Sequence, residues 1–353
     1  MRLPSDRKTK TSISIILIIA LMAVLSMSCS PGSAGQPKTK IIKDSEGREV
    51  EIPTNIEKVV TIGPVGVQNC FVFAMGEGHK IANGLPPRFA RTDRWKYHSI
   101  FNPAIATNPV VEDAEGVILI EKLMQVNPDL VFTMSMKTAE EVEQKGLKAI
   151  VLNWYAPEDV KEVVNLLGEI FNKPEKAEEY SKYFDDTLEK VNRIVSQIPE
   201  DKKVTALNTT LERLSLGHVI AEWWIEAAGG VSVSEEQRKT ESSAYSMEQL
   251  LVWDPDVLLV QTENDKKLAY SDPRFSHLKA VKNKKVYATP VMGHVWANRT
   301  MEQPLTVIWA AKLFYPEEMK GIDMEEELKI FSRKFFHYEL SDEECKDILR
   351  DMY

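Results

Sequence analysis

Two stretches of this chain repeat the same punctuation in register, Glu121-Lys-Leu-Met-Gln-Val-Asn-Pro128-Asp129-Leu-Val-Phe and Glu248-Gln-Leu-Leu-Val-Trp-Asp-Pro255-Asp256-Val-Leu-Leu. In each, a short apolar-periodic helix opens on a glutamate. A proline preceded by Asn or Asp disfavours further helix and forces a turn, and an apolar run then reads as a buried strand. A helix-turn-strand unit used twice constrains the chain to two similar α/β lobes. Two lobes leave a cleft between them, which is a common way to enclose a small ligand.

The pieces around each repeat extend this pattern. In the first half, Lys58 to Pro64 reads as a buried strand ending in a turn and Val67 to Met75 as the following helix. Lys80 to Gly84 reads as a second strand, Ala139 to Gly146 as helix and Ala149 to Asn153 as strand. The second half offers Lys203 to Asn208 as strand, His218 to Ala228 as helix stopped by Gly229-Gly230, and Lys285 to Thr289 as strand. Gln303 to Tyr315 reads as an apolar helix and Ile322 to Tyr353 as charged terminal helices. Strands alternating with helices require mainly parallel sheets covered on both faces.

Between the halves the apolar residues recur at helical spacing from Pro157 to Val195, interrupted by Asn172-Lys-Pro174. The second piece is a single helix of about 23 residues, about 35 Å at 1.5 Å per residue. A helix of that length between two lobes acts as a strut. The expected organisation is therefore residues 41–155 as an N-terminal α/β lobe, 156–199 as a helical linker and 200–353 as a C-terminal α/β lobe with terminal helices.

The N-terminus speaks to location. Arg2, Arg7, Lys8 and Lys10 precede an apolar run from Ile13 to Leu25 and then small residues before Cys29, the layout of an export signal over residues 1–28. The run is short for a membrane span. Residues 29–40 begin with a Gly/Pro/Ser-rich tract that behaves as a flexible tether. Cys29 resembles the lipid-modified cysteine of bacterial lipoproteins, although Ser26 stands where that pattern usually has leucine. The remaining cysteines, Cys70 and Cys345, are open to pairing in an oxidising compartment, but the apolar run around Cys70 favours a buried thiol. The chain carries a formal charge of −9, and the export segment removes four basic residues and one acid, so the remainder is at −12. That acidity argues against nucleic acid as a partner.

The order Asp44-Ser-Glu-Gly-Arg48-Glu-Val-Glu-Ile-Pro53, Lys58-Val-Val, Asn127-Pro-Asp-Leu-Val, Ala228-Gly-Gly230, Asp254-Pro-Asp-Val-Leu and Lys285-Val-Tyr resembles the substrate-binding lipoproteins of ABC importers for ferric siderophores, haem and vitamin B12. The resemblance runs from about residue 41 to the end. It implies two Rossmann-like lobes joined by one long rigid helix, a monomeric receptor on the outer face of the membrane, and delivery of cargo to a permease dimer driven by its ATPase. It also implies a metal-chelate cargo, an iron(III) chelate foremost and haem or a corrinoid otherwise, with no resident cofactor. Glu121 and Glu248 are similar to the paired glutamates by which vitamin B12 receptors of that family dock on permease arginines.

For the cargo, the basic and aromatic segment holding Arg88, Arg91, Arg94, Trp95, Tyr97 and His98 suits an anionic, ring-bearing ligand, which arginine forks bind and aromatics stack on. In the second half His294, Trp296 and Arg299 follow a predicted strand, in a spacing similar to a cargo segment of the B12 receptors, and Tyr245 is a weaker candidate. The chain has no GxSxG, HExxH, P-loop or GxGxxG signature, and its Asn/Asp-Pro-Asp aspartates read as turn caps rather than catalytic acids. Three alternatives share the fold: a receptor for a bare metal ion, which needs three or four converging His, Asp or Glu ligands, an extracytoplasmic sensor or adhesion protein, and, least favoured, a lipid-anchored hydrolase or chelatase.

Overall fold

In a computed structural model of the chain, which describes residues 38–90, 93–237, 239 and 242–352, the repeated units form equivalent structures. Ile120–Val126 and Met247–Trp253 are both seven-residue helices. Asn127 and Asp254 end them in the left-handed conformation, at φ 48° and 36°. Asn and Asp tolerate this region better than other non-glycine residues, because a short polar side chain can bond locally. The aspartate after each proline ties its unit to the neighbouring strand. Asp129 Oδ2 accepts the backbone N–H groups of Glu57 and Lys58 at 2.8 and 2.9 Å. Asp256 Oδ2 accepts the N–H and hydroxyl of Thr205 at 3.1 and 2.9 Å.

Two parallel sheets follow. In the N-terminal lobe β3 (Val59–Ile62), β4 (Leu130–Thr133) and β5 (Ala149–Val151) lie in that order. In the C-terminal lobe the order is β11 (Val286–Ala288), β10 (Val257–Val260), β6 (Thr205–Thr209), β8 (Val231–Ser232). The strands β3, β4, β5 and β10 are buried at every residue, as sheets covered by helices on both faces demand. The expected strand at Lys80–Gly84 contracts to one bridge, Ile81 to Val59, at the position β8 holds in the other lobe. Asn83 replaces the rest of it: its side chain accepts from Thr61 N at 3.0 Å and donates to Thr61 O at 3.1 Å.

Pro157–Phe171 and Pro174–Val195 are helices separated by Asn172 at φ 57°. The second has 22 residues and spans about 33 Å. Its buried residues Ala177, Tyr180, Phe184, Thr187, Val191 and Val195 form one stripe, and Tyr180 Oη donates to Met301 O at 2.7 Å. Three features depart from the sequence reading. An antiparallel ribbon, β1 (Thr39–Lys43) with β2 (Glu49–Pro53), precedes the first lobe, and a short one, β7 (Ser215–Leu216) with β9 (Ser243–Ala244), joins the second. The expected helix over His218–Ala228 breaks at Glu222, whose buried carboxylate accepts the hydroxyls of Ser232 and Ser234. The terminal helices, assigned to the C-terminal lobe, lean on the N-terminal one: Phe336 lies 4.9 Å from Phe101, and Lys96 pairs with Asp347 at 2.9 Å. Cys70 and Cys345 are both free and buried. The export segment, the tether and Cys29 lie outside the described residues.

Since each repeat aspartate satisfies two donors of its neighbouring strand, Asp129→Ala and Asp256→Ala should each destabilise the protein by about 1–3 kcal/mol. Chemical denaturation of each variant, compared with an exposed control such as Glu178→Ala, measures this.

Candidate functional site

Parallel strands place all their following loops at one edge of each sheet, the side on which open α/β folds bind ligands. The segments after β3, the Ile81 bridge, β6, β10 and β11 line a cleft of about 1200 Å³ between the lobes, with Pro64, Phe89, Arg94 and Trp95 on one wall and Glu212, Arg213, His218, Gln261, Thr262, Asp265, His294, Asn298 and Arg299 on the other. Three arginines thus face two carboxylates.

Arg299 is partly buried, and the protein compensates its charge only weakly. Its guanidinium lies 5.9 Å from the Trp154 ring, burial pulls its pKa down, and no described residue forms a hydrogen bond or ion pair with it. Arg94 is more constrained. It donates to Gln261 O across the cleft at 2.7 Å and lies 5.8 Å from the Trp95 ring. Asp265, itself buried, accepts Glu212 N and the Thr262 hydroxyl, so it organises the floor instead of presenting free charge.

Two histidines flank Arg299. His218 Nδ1 accepts from Ile220 N at 3.3 Å, which leaves the proton on Nε2, and its ring stacks on Tyr155 at 5.8 Å. Burial, then the Arg299 charge, lowers its pKa to about 4. His294 lies 5.1 Å from Trp95; burial, then Arg94, His98 and Arg299, lowers its pKa to about 3. Both rings are therefore neutral at pH 7.

Four predicted contacts, Arg94, Trp95, His294 and Arg299, do line the cleft. Five others do not. Arg88 is committed to Gly63 O and to an ion pair with Glu112 at 2.9 Å. Tyr97 is buried against Phe101 and borders a neighbouring cavity of about 480 Å³ that shares Arg94, Gln261 and Thr262 with the cleft. His98 is fully buried and bonds Gly293 O at 2.7 Å through Nε2, so it joins the lobes. Tyr245 sits in the second lobe's core with its hydroxyl on Thr209 at 2.7 Å. Trp296 is 0 % exposed, with Nε1 donating to Glu302 at 3.0 Å. Each of these corrections has the same cause, since an aromatic or polar side chain in a loop serves the core as readily as the cleft. Arg91 lies outside the described residues.

Sequence reasoning missed Arg213, His218 and Asp265. The His218 segment read as a helix start, and Arg213 sits in the tight turn that the Thr210–Ser215 bridge closes between β6 and β7. Glu121 and Glu248 occupy the second position of their two equivalent helices, and both are exposed. Among the described residues no group of three or more His, Cys, Asp or Glu side chains is placed to hold a metal ion. No helix there is long and apolar enough to cross a membrane.

Two parallel-sheet lobes, a long helix between them and a cleft at the strand ends are the architecture of a two-lobed solute-binding protein. Residues 82–291 match the periplasmic binding protein family, and the chain belongs to it, among the extracytoplasmic solute-binding proteins of ABC transporters. A periplasmic solute-binding protein of Veillonella parvula is similar in structure, with TM-score 0.76 and 23 % identity over 89 % of this chain and 98 % of that one. The molybdate-binding protein MolA of Haemophilus influenzae, solved with molybdate, gives 0.74 and 20 % over 86 % and 99 %. CeuE of Helicobacter pylori, solved as a nickel-histidine complex, gives 0.70 and 17 % over 88 % and 98 %. No curated protein matches the sequence.

His98, His218 and His294 are all held below the ordinary histidine range, so the unfolded chain takes up protons before the folded one as pH falls from about 6.5 towards 4. Stability should drop through that window. Glu302, raised to about 7, opposes this with stability gained as pH falls from about 7 to 4.5. With three groups against one, denaturation midpoints at pH 5 should lie below those at pH 7, and His98→Asn should flatten the difference.

Proposed function

We propose that this protein captures an anionic metal chelate in the interlobe cleft and hands it to an ABC permease. The observation that carries this reading is Arg299, a partly buried guanidinium without a described partner, stacked on Trp154 at the wall of a cleft of about 1200 Å³. An unpaired buried charge is costly, and an anionic ligand compensates it. The cleft volume exceeds what a bare ion fills and suits an iron(III) chelate foremost, with haem or a corrinoid as further candidates. Trp95 and Phe89 on the opposite wall offer faces for apolar parts of such a cargo. A second reading, a compact oxyanion, draws support from the same arginine beside two neutral histidines and from the likeness to MolA, which was solved with molybdate. The bare-ion alternative lacks a donor set among the described residues.

Delivery follows from the symmetric glutamates. Glu121 and Glu248, exposed on equivalent helix starts, are suited to charge-assisted pairing with two symmetric basic sites on a permease dimer. Cys29 would carry the lipid that keeps the receptor beside that permease.

Titration of Trp95 fluorescence against ferric hydroxamate, catecholate and citrate complexes, haem, cobalamin, molybdate and free divalent metals tests the cargo. Saturation by an iron chelate, haem or cobalamin supports the first reading, molybdate alone the second, and response to free metals alone overturns both. Arg299→Ala should weaken the bound anion about tenfold or more. Glu121→Ala with Glu248→Ala should leave that affinity intact and abolish uptake in cells. Undiminished uptake would remove the docking role.

A further inference from the structure

We propose that Glu302 is the positioning residue of the cargo site, gathering the loop 293–300 around its buried carboxylate so that Arg299 and His294 are held against the cleft. This rests on the reading of Arg299 as an anion contact. Glu302 is 0 % exposed and receives four donors. Oε1 accepts Gly293 N at 3.1 Å and Trp296 Nε1 at 3.0 Å; Oε2 accepts His294 N at 2.7 Å and the Thr300 hydroxyl at 3.1 Å. Every one comes from the loop.

The simpler role for a glutamate here is to cap the Gln303–Phe314 helix, at whose N-terminus it stands. Its side chain makes no cap bond to that helix. The helix dipole still favours the carboxylate where it is, while the hydrogen bonds face the other way, into the loop. The helix's own first turn then fixes the loop carbonyls: Gln303 Nε2 donates to Asn298 O at 3.2 Å and the Thr306 hydroxyl to Trp296 O at 2.8 Å. From the other lobe His98 holds Gly293 O, and a Cβ at Gly293 would lie 2.7 Å from Cys70 Sγ. The loop is therefore pinned on three sides, and Arg299 emerges from its last turn, one residue before Thr300.

Four donors converging on two oxygens require an acceptor-only group. Burial pushes the carboxyl up to about 7, and the four donors oppose that shift by favouring the ionised form. In Glu302→Gln one oxygen becomes an NH₂ that faces two donors, leaving those donors unsatisfied in a dry site.

The test uses the whole protein with ferric citrate and molybdate as probes, together with hydrogen exchange resolved on the amides of Gly293 and His294. Glu302→Gln should raise the dissociation constant of whichever probe binds at least tenfold, and the near-isosteric Thr300→Val by a smaller factor. The penalty of each should shrink once Arg299 is alanine, because a residue that acts mainly through Arg299 then has only His294 left to position. The two amides should exchange at least tenfold faster in the folded variants. Unchanged affinity and exchange, or penalties that multiply with Arg299→Ala, would overturn the proposal. If Glu302→Gln does not fold, Thr300→Val carries the same comparison. If neither probe binds the unmodified protein, the cargo reading fails on those probes, and the exchange rates alone decide whether Glu302 holds the loop.

Discussion

The seam between the lobes is the constraint on which the site depends. Gly293 from the second lobe sits against Cys70 of the first, close enough that any side chain would collide, and its carbonyl accepts from buried His98. Arg94 crosses to Gln261 O nearby. The His98 contact is buried, the Arg94 contact partly so, and both are directional. They set the spacing of the two cleft walls in a way that the strut helix, which touches both lobes from behind, cannot do alone. The terminal segment adds a further brace where Phe336 packs on Phe101.

Burial and neighbouring charges set the electrostatic character of the cleft. Arg299 is partly desolvated, with the Trp154 ring beneath it and Tyr155 close by. The nearby histidines are neutral because burial and adjacent arginines both disfavour a further proton. The anionic cargo proposed above would offset charge that the protein leaves largely uncompensated.

Much of the framework was legible in local patterns. The Asn-Pro-Asp and Asp-Pro-Asp turns, the apolar strands beside them and the break at Asn172-Lys-Pro174 each rest on short-range backbone physics, and each appears where the pattern puts it. The site was legible only in part. Trp296 and Arg299 share one loop and looked equally suited to a ligand, yet Trp296 turns inward to Glu302 and Arg299 outward to the cleft. His98 and His294 were likewise indistinguishable as letters. One became a buried strap between lobes and the other a cleft wall.

The sequence by itself determined two α/β lobes, their parallel strands and the long helix between them, because proline turns, apolar periodicity and helix stops act within a few residues. Only the tertiary structure decided which polar and aromatic side chains face the cargo. That choice depends on where hydrogen-bond partners more than a hundred residues away come to lie, as Gly293 does for His98 and Gln261 for Arg94. No local pattern carries that information, since burial of a polar group is set by the partner that satisfies it.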